Sequence, residues 1–278
     1  MSKRLDDFQP LFFWIFCYNK YTRRWIVLQR NEIMALPSAQ KVKTELHTFL
    51  LEGNKDITRS SWKQVYSACL GRVVGSQTSY RRNICGGKQI TPSFFDGKVF
   101  FDDKHFPAQV IGTVSKDKST WTWGYEKPVT APDGCFQLAN ELKEIGRSWK
   151  LQPLESGIQE LGRGFSAESL AVVAVGASKN YYCYCKIEEK DYDLYVAFSK
   201  VPAPIFGAVN AETFFALAAK CFPMFNVDHR VFIESLLRWN GTPYEWKVQK
   251  LVAHFDSDVE LSFQEDHGIA SVFAMKIL

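Results

Sequence analysis

No stretch of this sequence approaches the roughly 20 consecutive apolar residues that a membrane-spanning helix requires. The longest apolar run near the start, Leu11–Cys17, stops after seven residues. It is preceded by Asp6 and Asp7 and followed by Tyr21, Arg23, Arg24 and Trp25. A secretion signal would put basic residues first and small residues at a cleavage site after the apolar core, so the run reads as a buried strand or short helix. Phosphate-binding loops are missing too: no GxxxxGK[ST] occurs, and no GxGxxG follows a strand. There is no internal repeat and no low-complexity tract. The seven cysteines are odd in number and scattered, which points to free thiols in a reducing, cytoplasmic setting. Asn240-Gly241-Thr242 matches a glycosylation acceptor but carries no meaning without secretion.

What is present is enough apolar surface for a core. Of 278 residues 46% are hydrophobic and 15% aromatic, which excludes a disordered chain. The net charge of +4 divides unevenly. Residues 1–88 carry 15 Lys and Arg against six Asp and Glu (+9), and the remainder 19 against 24 (−5). A basic arm on a mildly acidic body implies an anionic partner for the arm, its packing against the body, or ordinary solvated faces.

Periodicity gives the elements. Extended segments are expected at Leu11–Cys17 and Arg24–Leu28. Ser38 caps a helix in which Val42, Leu46, Phe49 and Leu50 share a face, closed by Gly53. A second helix starts at Ser60 or Ser61 and ends at Gly71, and Gly75–Gly87 reads as a boundary or long exposed loop. Phe94–Phe101 predicts a hairpin turning at Asp96-Gly97. Strands follow at Ala108–Val114 and Thr120–Tyr125, then a helix through Leu138, Leu142 and Ile145 ended by Gly146. Ala167–Ala177, capped at Ser166, reads as helix with strand as the alternative. A hairpin is expected from Tyr181–Ile187 and Asp193–Phe198. Helices Ala211–Phe222 and His229–Trp239 are capped by Asn210 and Asp228. Strands at Trp246–Phe255, Val259–Phe263 and Ile269–Ile277 complete the chain. Short hairpin connections without β-helix-β alternation predict an α+β fold of antiparallel sheets with interspersed helices. The expected division is a basic region 1–88 and an α+β domain 89–278.

Within Phe94–Pro202 lie Val110-Ile111-Gly112-Thr113, a variable turn, then Ser119-Thr120-Trp121-Thr122-Trp123-Gly124-Tyr125, and later the aromatic hairpin Tyr181-Tyr182-Cys183-Tyr184. This pattern resembles an uncharacterised bacterial domain family of unknown function. Members are similar in carrying an aromatic-x-aromatic-x-aromatic strand followed by Asn; here Glu126-Lys127 follow Tyr125. The resemblance implies a compact α+β domain and no particular activity. The basic first third and the residues after Pro202 lie outside it.

Several constellations carry candidate chemistry. Trp121, Trp123 and Tyr125 either fill a core or line an aromatic pocket for a ligand or partner. Cys183 and Cys185 share a strand face, but no second Cys/His pair completes a zinc set, so buried thiols are expected and no metal or cofactor. His254, Asp256 and Asp258 alternate near a strand end, with His229 and His267 elsewhere; Asp-Ser-Asp is also ordinary turn chemistry. Gly162-Arg163-Gly164 precedes a helix and reads as turn glycines or an anion contact. Arg23, Arg24, Arg81 and Arg82 are the expected contacts to an anionic partner.

With no catalytic motif, the leading expectation is a non-enzymatic protein-interaction module with an acidic partner surface, such as a component or immunity-type partner in a bacterial conflict or defence system. A small-molecule-binding domain using the aromatic strand is the second. A nucleic-acid-associated factor or nuclease acting through the basic third is the other alternative. No membrane association is expected.

Overall fold

The computed structural model describes residues 16–19, 24–27, 57–162, 164–180, 183–202, 207–266 and 269–278. The chain divides into two compact units, Met1–Gln40 and Lys41–Leu278. In the first, β1 (Phe16–Asn19) and β2 (Arg24–Val27) form an antiparallel hairpin with Phe16 opposite Val27. The helix expected over residues 38–53 lies outside the described residues, as do Arg23, Arg163, Tyr181, Tyr182 and His267.

Among the described residues of the second unit α1 (Trp62–Tyr80) comes first, followed by β3 (Ile90–Ser93), β4 (Lys98–Phe101), β5 (Lys104–Ser115) and β6 (Thr120–Trp123). Then come α2 (Gln137–Trp149), the short α3 (Gln152–Glu155), β7 (Ile158–Glu160), α4 (Ala167–Ala177), β8 (Cys183–Glu188) and β9 (Tyr192–Phe198). The chain closes with α5 (Ala211–Met224), α6 (His229–Asn240) and four strands, β10 (Tyr244–Lys247), β11 (Lys250–His254), β12 (Asp258–Asp266) and β13 (Ile269–Ile277).

Helix starts follow the capping residues. The Ser166 hydroxyl accepts from the Ser169 N–H while the Ser169 side chain accepts from the Ser166 N–H, so Ala167–Ala177 is a helix. Asn210 accepts from Thr213 at 2.9 Å and Asp228 from Val231 at 3.1 Å, and Gly241, at φ +74°, stops α6.

Helix ends are where periodicity misleads. α1 does not stop at Gly71, and Gly75–Gly87 is not a loop: the helix runs through both glycines to Tyr80 and continues as a π-helical turn, Arg81–Cys85. The glycines are there for contact. A Cβ on Gly71 would stand 2.3 Å from the Phe232 carbonyl oxygen, and one on Gly75 2.3 Å from the Trp239 ring. Their absence lets α6 lie directly against the α1 backbone. On α4, a Cβ at Gly176 would meet Cys69 of α1 at 2.4 Å. α2 likewise passes Gly146, where a Cβ would come within 2.8 Å of Leu154.

Three strand boundaries also shift. Phe94–Gly97 is the turn of the β3–β4 hairpin, not part of its strands, because Asp96 accepts from the Ser93 hydroxyl and Gly97 turns at φ +62°. β6 ends at Trp123, since Gly124 presses against the Val110 carbonyl and opens a 3-10 turn to Glu126. Trp246–Phe255 contains two strands, joined at Val248, whose φ is +56°.

Every strand pair described is antiparallel, and the fold is α+β. β8, β9, β5, β6 and β7 lie side by side in that order, and the β3–β4 hairpin pairs with the first four residues of β5. This central sheet is buried on both faces. Tyr184, Tyr195, Ala197, Trp121 and Trp123 join the helical core. Cys183, Cys185, Val196 and Phe198 join a second core with Val99, Phe101, Phe106, Tyr80 and Ile84. Residues of α1 occur in both cores, so the end of the basic first third packs together with the central sheet. The β10–β13 meander turns Leu251, Ala253, Leu261 and Phe263 inward. Its outer face carries the Lys250–Glu260–Lys276 ion pairs, the half-solvated pattern usual for antiparallel sheets. Among the described residues no helix is long and apolar enough to cross a membrane.

Candidate functional site

The last two turns of α1 build the most distinctive surface. Gln77 spans to the edge strand β8: its Nε2 donates to the Tyr184 carbonyl at 2.7 Å, and its Oε1 accepts from the Tyr184 N–H at 3.2 Å. One amide thus satisfies both backbone groups that an edge strand leaves open. One turn on, the Tyr80 ring is buried edge-on between Phe101 and Phe198, at 5.7 and 5.0 Å.

The π-helical turn then places Ile84 in the same core, with no exposed surface. Between those two anchors Arg81, Arg82 and Asn83 face solvent. The Gly86 N–H returns to the Arg81 carbonyl at 3.1 Å, Lys88 to Cys85 at 2.6 Å, and Gly86 and Gly87 take φ of +43° and +81°. The wide turn is what lets two successive arginines project while the residues on either side stay buried. Arg24, the other described member of the expected basic set, lies in β2 of the first unit.

A sequence signal for this knuckle exists but is not one of periodicity. Between Asp56 and Asp96 there is no acidic residue, while Arg59, Lys63, Arg72, Arg81, Arg82 and Lys88 fall in that interval. Arg72 is the exception in placement. Its guanidinium is buried and donates to the Gly176 carbonyl at 2.6 Å, a cation at the negative end of α4.

The aromatic strand is interior. Trp121 and Trp123 have no exposed surface and meet edge to face at 5.2 Å, with Tyr195 a further 5.2 Å from Trp121. Trp123 Nε1 donates to the Pro153 carbonyl at 2.9 Å. Trp121 lies against Gly112, whose Cβ would stand 2.6 Å from the ring. Only Tyr125 reaches solvent, from the 3-10 turn, stacked on Trp123 with its hydroxyl donating to the Leu154 carbonyl and Lys143 4.4 Å over its ring. These rings form core and a clamp on α3, and the two tryptophans present no surface to solvent.

Cys183 and Cys185 are both buried in the second core, where desolvation drives their thiols far above the ordinary range. Thiols so protonated are poor nucleophiles and poor metal ligands. Among the described residues no group of three or more His, Cys, Asp or Glu could hold a metal ion. His254 Nδ1 lies 3.1 Å from Asp258 Oδ1, a cross-strand pair at the β11–β12 turn; Asp256 sits in the turn itself. Gly162 and Gly164 take φ of +116° and +111° around a bridge to Phe165.

One concavity of about 470 Å³ lies between α2 and the end of α4, lined by Leu142, Ile145, Trp149 and Ala177 together with Glu141, Glu144 and Lys179.

Residues 63–201 match a family of unknown function, DUF6882. No curated protein and no solved structure matches the chain. The match starts in the first turn of α1 and ends just past β9, reaching further upstream than the aromatic strand and hairpin alone suggest. It takes in the two-sided central sheet and the Arg81–Arg82 knuckle, and the chain belongs to the family DUF6882.

Proposed function

We propose that this chain is a non-enzymatic protein-interaction module that docks an acidic partner surface through the Arg81–Arg82 knuckle. The observation behind this reading is the presentation of the arginines: both are exposed between Tyr80 and Ile84, which are locked in the core. Side chains mounted on a rigid turn lose less entropy on binding than those on a mobile loop. Guanidinium groups engage carboxylates in two-point hydrogen bonds. The acid-free interval from residue 57 to 95 adds long-range attraction for the same partner. A cytoplasmic role as a component or immunity-type partner in a bacterial conflict or defence system suits such a module. Of the three rings in the small-molecule reading, Trp121 and Trp123 are buried and Tyr125 reaches solvent.

The test is a low-salt pull-down from native lysate, followed by affinity measurements on the stoichiometric partner recovered. Arg81→Glu/Arg82→Glu should weaken that complex by roughly 10- to 100-fold, with a steep salt dependence for the wild type. An unchanged affinity in the reversed protein sinks the proposal, and recovery of nucleic acid alone replaces it with the phosphate-binding reading.

A further inference from the structure

Gln77 closes only the first part of the β8 edge, and the stretch it leaves open lies beside the Arg81–Arg82 knuckle. β8 pairs with β9 without a bulge from Cys183 to Glu188. Both backbone groups of Tyr184 bond Gln77, on the side away from β9. Inward and outward residues alternate along an antiparallel ladder, so Lys186 and Glu188 also direct their N–H and carbonyl groups away from β9. The following turn agrees, since the Glu189 N–H faces inward and donates to the Tyr192 carbonyl at 3.0 Å. Among the described residues no strand pairs with β8 on its outer side, and no side chain caps Lys186 or Glu188 as Gln77 caps Tyr184.

Arg81 stands at the start of this open stretch. Its N–H donates to the Gln77 carbonyl, so it lies one helical turn beyond Gln77 on the same face of α1. Burial raises the Tyr184 phenol to about 12, and the Arg81 charge opposes that rise, as a cation beside the edge must. Lys186 is exposed, and its ammonium holds Glu188 at 2.7 Å and Asp193 at 3.6 Å. These charges blunt the edge against apolar strands, which would have to desolvate them. A strand that carries carboxylates meets Arg81 and Lys186 instead.

On the reading that the knuckle is the docking site, we propose that its acidic partner presents an extended segment, which adds as a strand to β8 at Lys186 and Glu188 and sets a carboxylate on Arg81. Main-chain hydrogen bonds then supply a register that charge alone does not. With two open residues the added strand is short, so the arginines provide most of the attraction and the edge provides its direction.

Fluorescence anisotropy of the full chain at low salt, with a labelled peptide of alternating Glu and Thr as the probe, reads the outcome. The peptide should bind. The same peptide with every backbone nitrogen methylated, equal in charge but unable to donate, should bind at least about tenfold more weakly. On the protein, Lys186→Pro removes an outward N–H without touching the β9 ladder, whereas Lys186→Ala removes the same charge and keeps that N–H. The proline variant should bind roughly fivefold more weakly than the alanine variant. If it is poorly folded, the methylated peptide decides the matter, because the protein is then unaltered. Equal binding of the two peptides, with Arg81→Glu/Arg82→Glu abolishing both, overturns the added strand and leaves the knuckle reading in place. Binding that survives the charge reversal overturns both. Failure of the unmethylated peptide to bind overturns the strand, while the lysate pull-down decides the knuckle by itself.

Discussion

His229 opens α6 and closes β13 at once. Its ring stacks on Phe222 at 4.0 Å and 9°, and its Nδ1 accepts the Val272 N–H, which places the remaining proton on Nε2. Burial pushes its pKa below the ordinary 6.5, with Lys63 in the same sense and Asp228 opposed. The unfolded chain therefore takes up a proton at a higher pH than the folded one. It follows that this contribution to stability is complete above about pH 6.5. The contribution shrinks as pH falls from there towards the folded value, and changes no further below it. His229→Asn keeps an acceptor near Nδ1 but does not titrate. Melting curves from pH 7 down to 5 should show a smaller loss for the variant than for the wild type. Equal losses would place the acid sensitivity elsewhere.

At the scale of elements, α1 shows how far backbone contact can override residue preference. Glycine inside a helix costs about 1 kcal/mol relative to alanine, so Gly71→Ala would be stabilising on an isolated helix. Here the added methyl would lie 2.3 Å from a main-chain oxygen of α6, which cannot rotate away. Overpacking of this kind costs ~1–3 kcal/mol or more. Urea denaturation should find Gly71→Ala destabilised, against the propensity scale; a variant as stable as the wild type would mean that α1 and α6 are not in backbone contact. The edge of β8 is managed differently, by the two hydrogen bonds from Gln77. Helix side chains thus close edge backbone in both sheets, Gln77 at Tyr184 and His229 at Val272.

For the molecule as a whole, the central sheet is shared by two cores, and the cysteines report on each. Cys69 and Cys221 lie in the helical core, and Cys135, Cys183 and Cys185 in the other. All five are buried, whereas Cys85 is half-exposed. Since β8 and β9 contribute to both cores, neither core opens without breaking the strands of the other. In native buffer Cys85 should react with a thiol reagent at once, and the five buried thiols slowly and at a common rate, read by peptide mass spectrometry. Labelling of Cys183 and Cys185 long before Cys69 and Cys221 would show that the two cores open independently.

Sequence alone determined whatever depends on neighbours a few residues apart. Caps at Ser166, Asn210 and Asp228 placed three helix starts, and alternation with short turns gave an antiparallel α+β fold. Contacts across the chain decided the rest. Gly71 and Gly146 look like helix ends in sequence and Gly75 like the start of a loop, because a glycine that stops a helix and one that admits a neighbouring backbone are the same letter. The aromatic strand could line a pocket or fill a core, and only the helices laid over it buried Trp121 and Trp123. Arg81 and Arg82 read as part of a loop, and Arg72 was only one of 15 basic residues in the first 88. The burial of Tyr80 and Ile84 made the first pair a rigid knuckle, and the end of α4 took the third inside. Periodicity reports which face of an element is apolar; which element covers that face, and how closely, is settled only when distant segments meet.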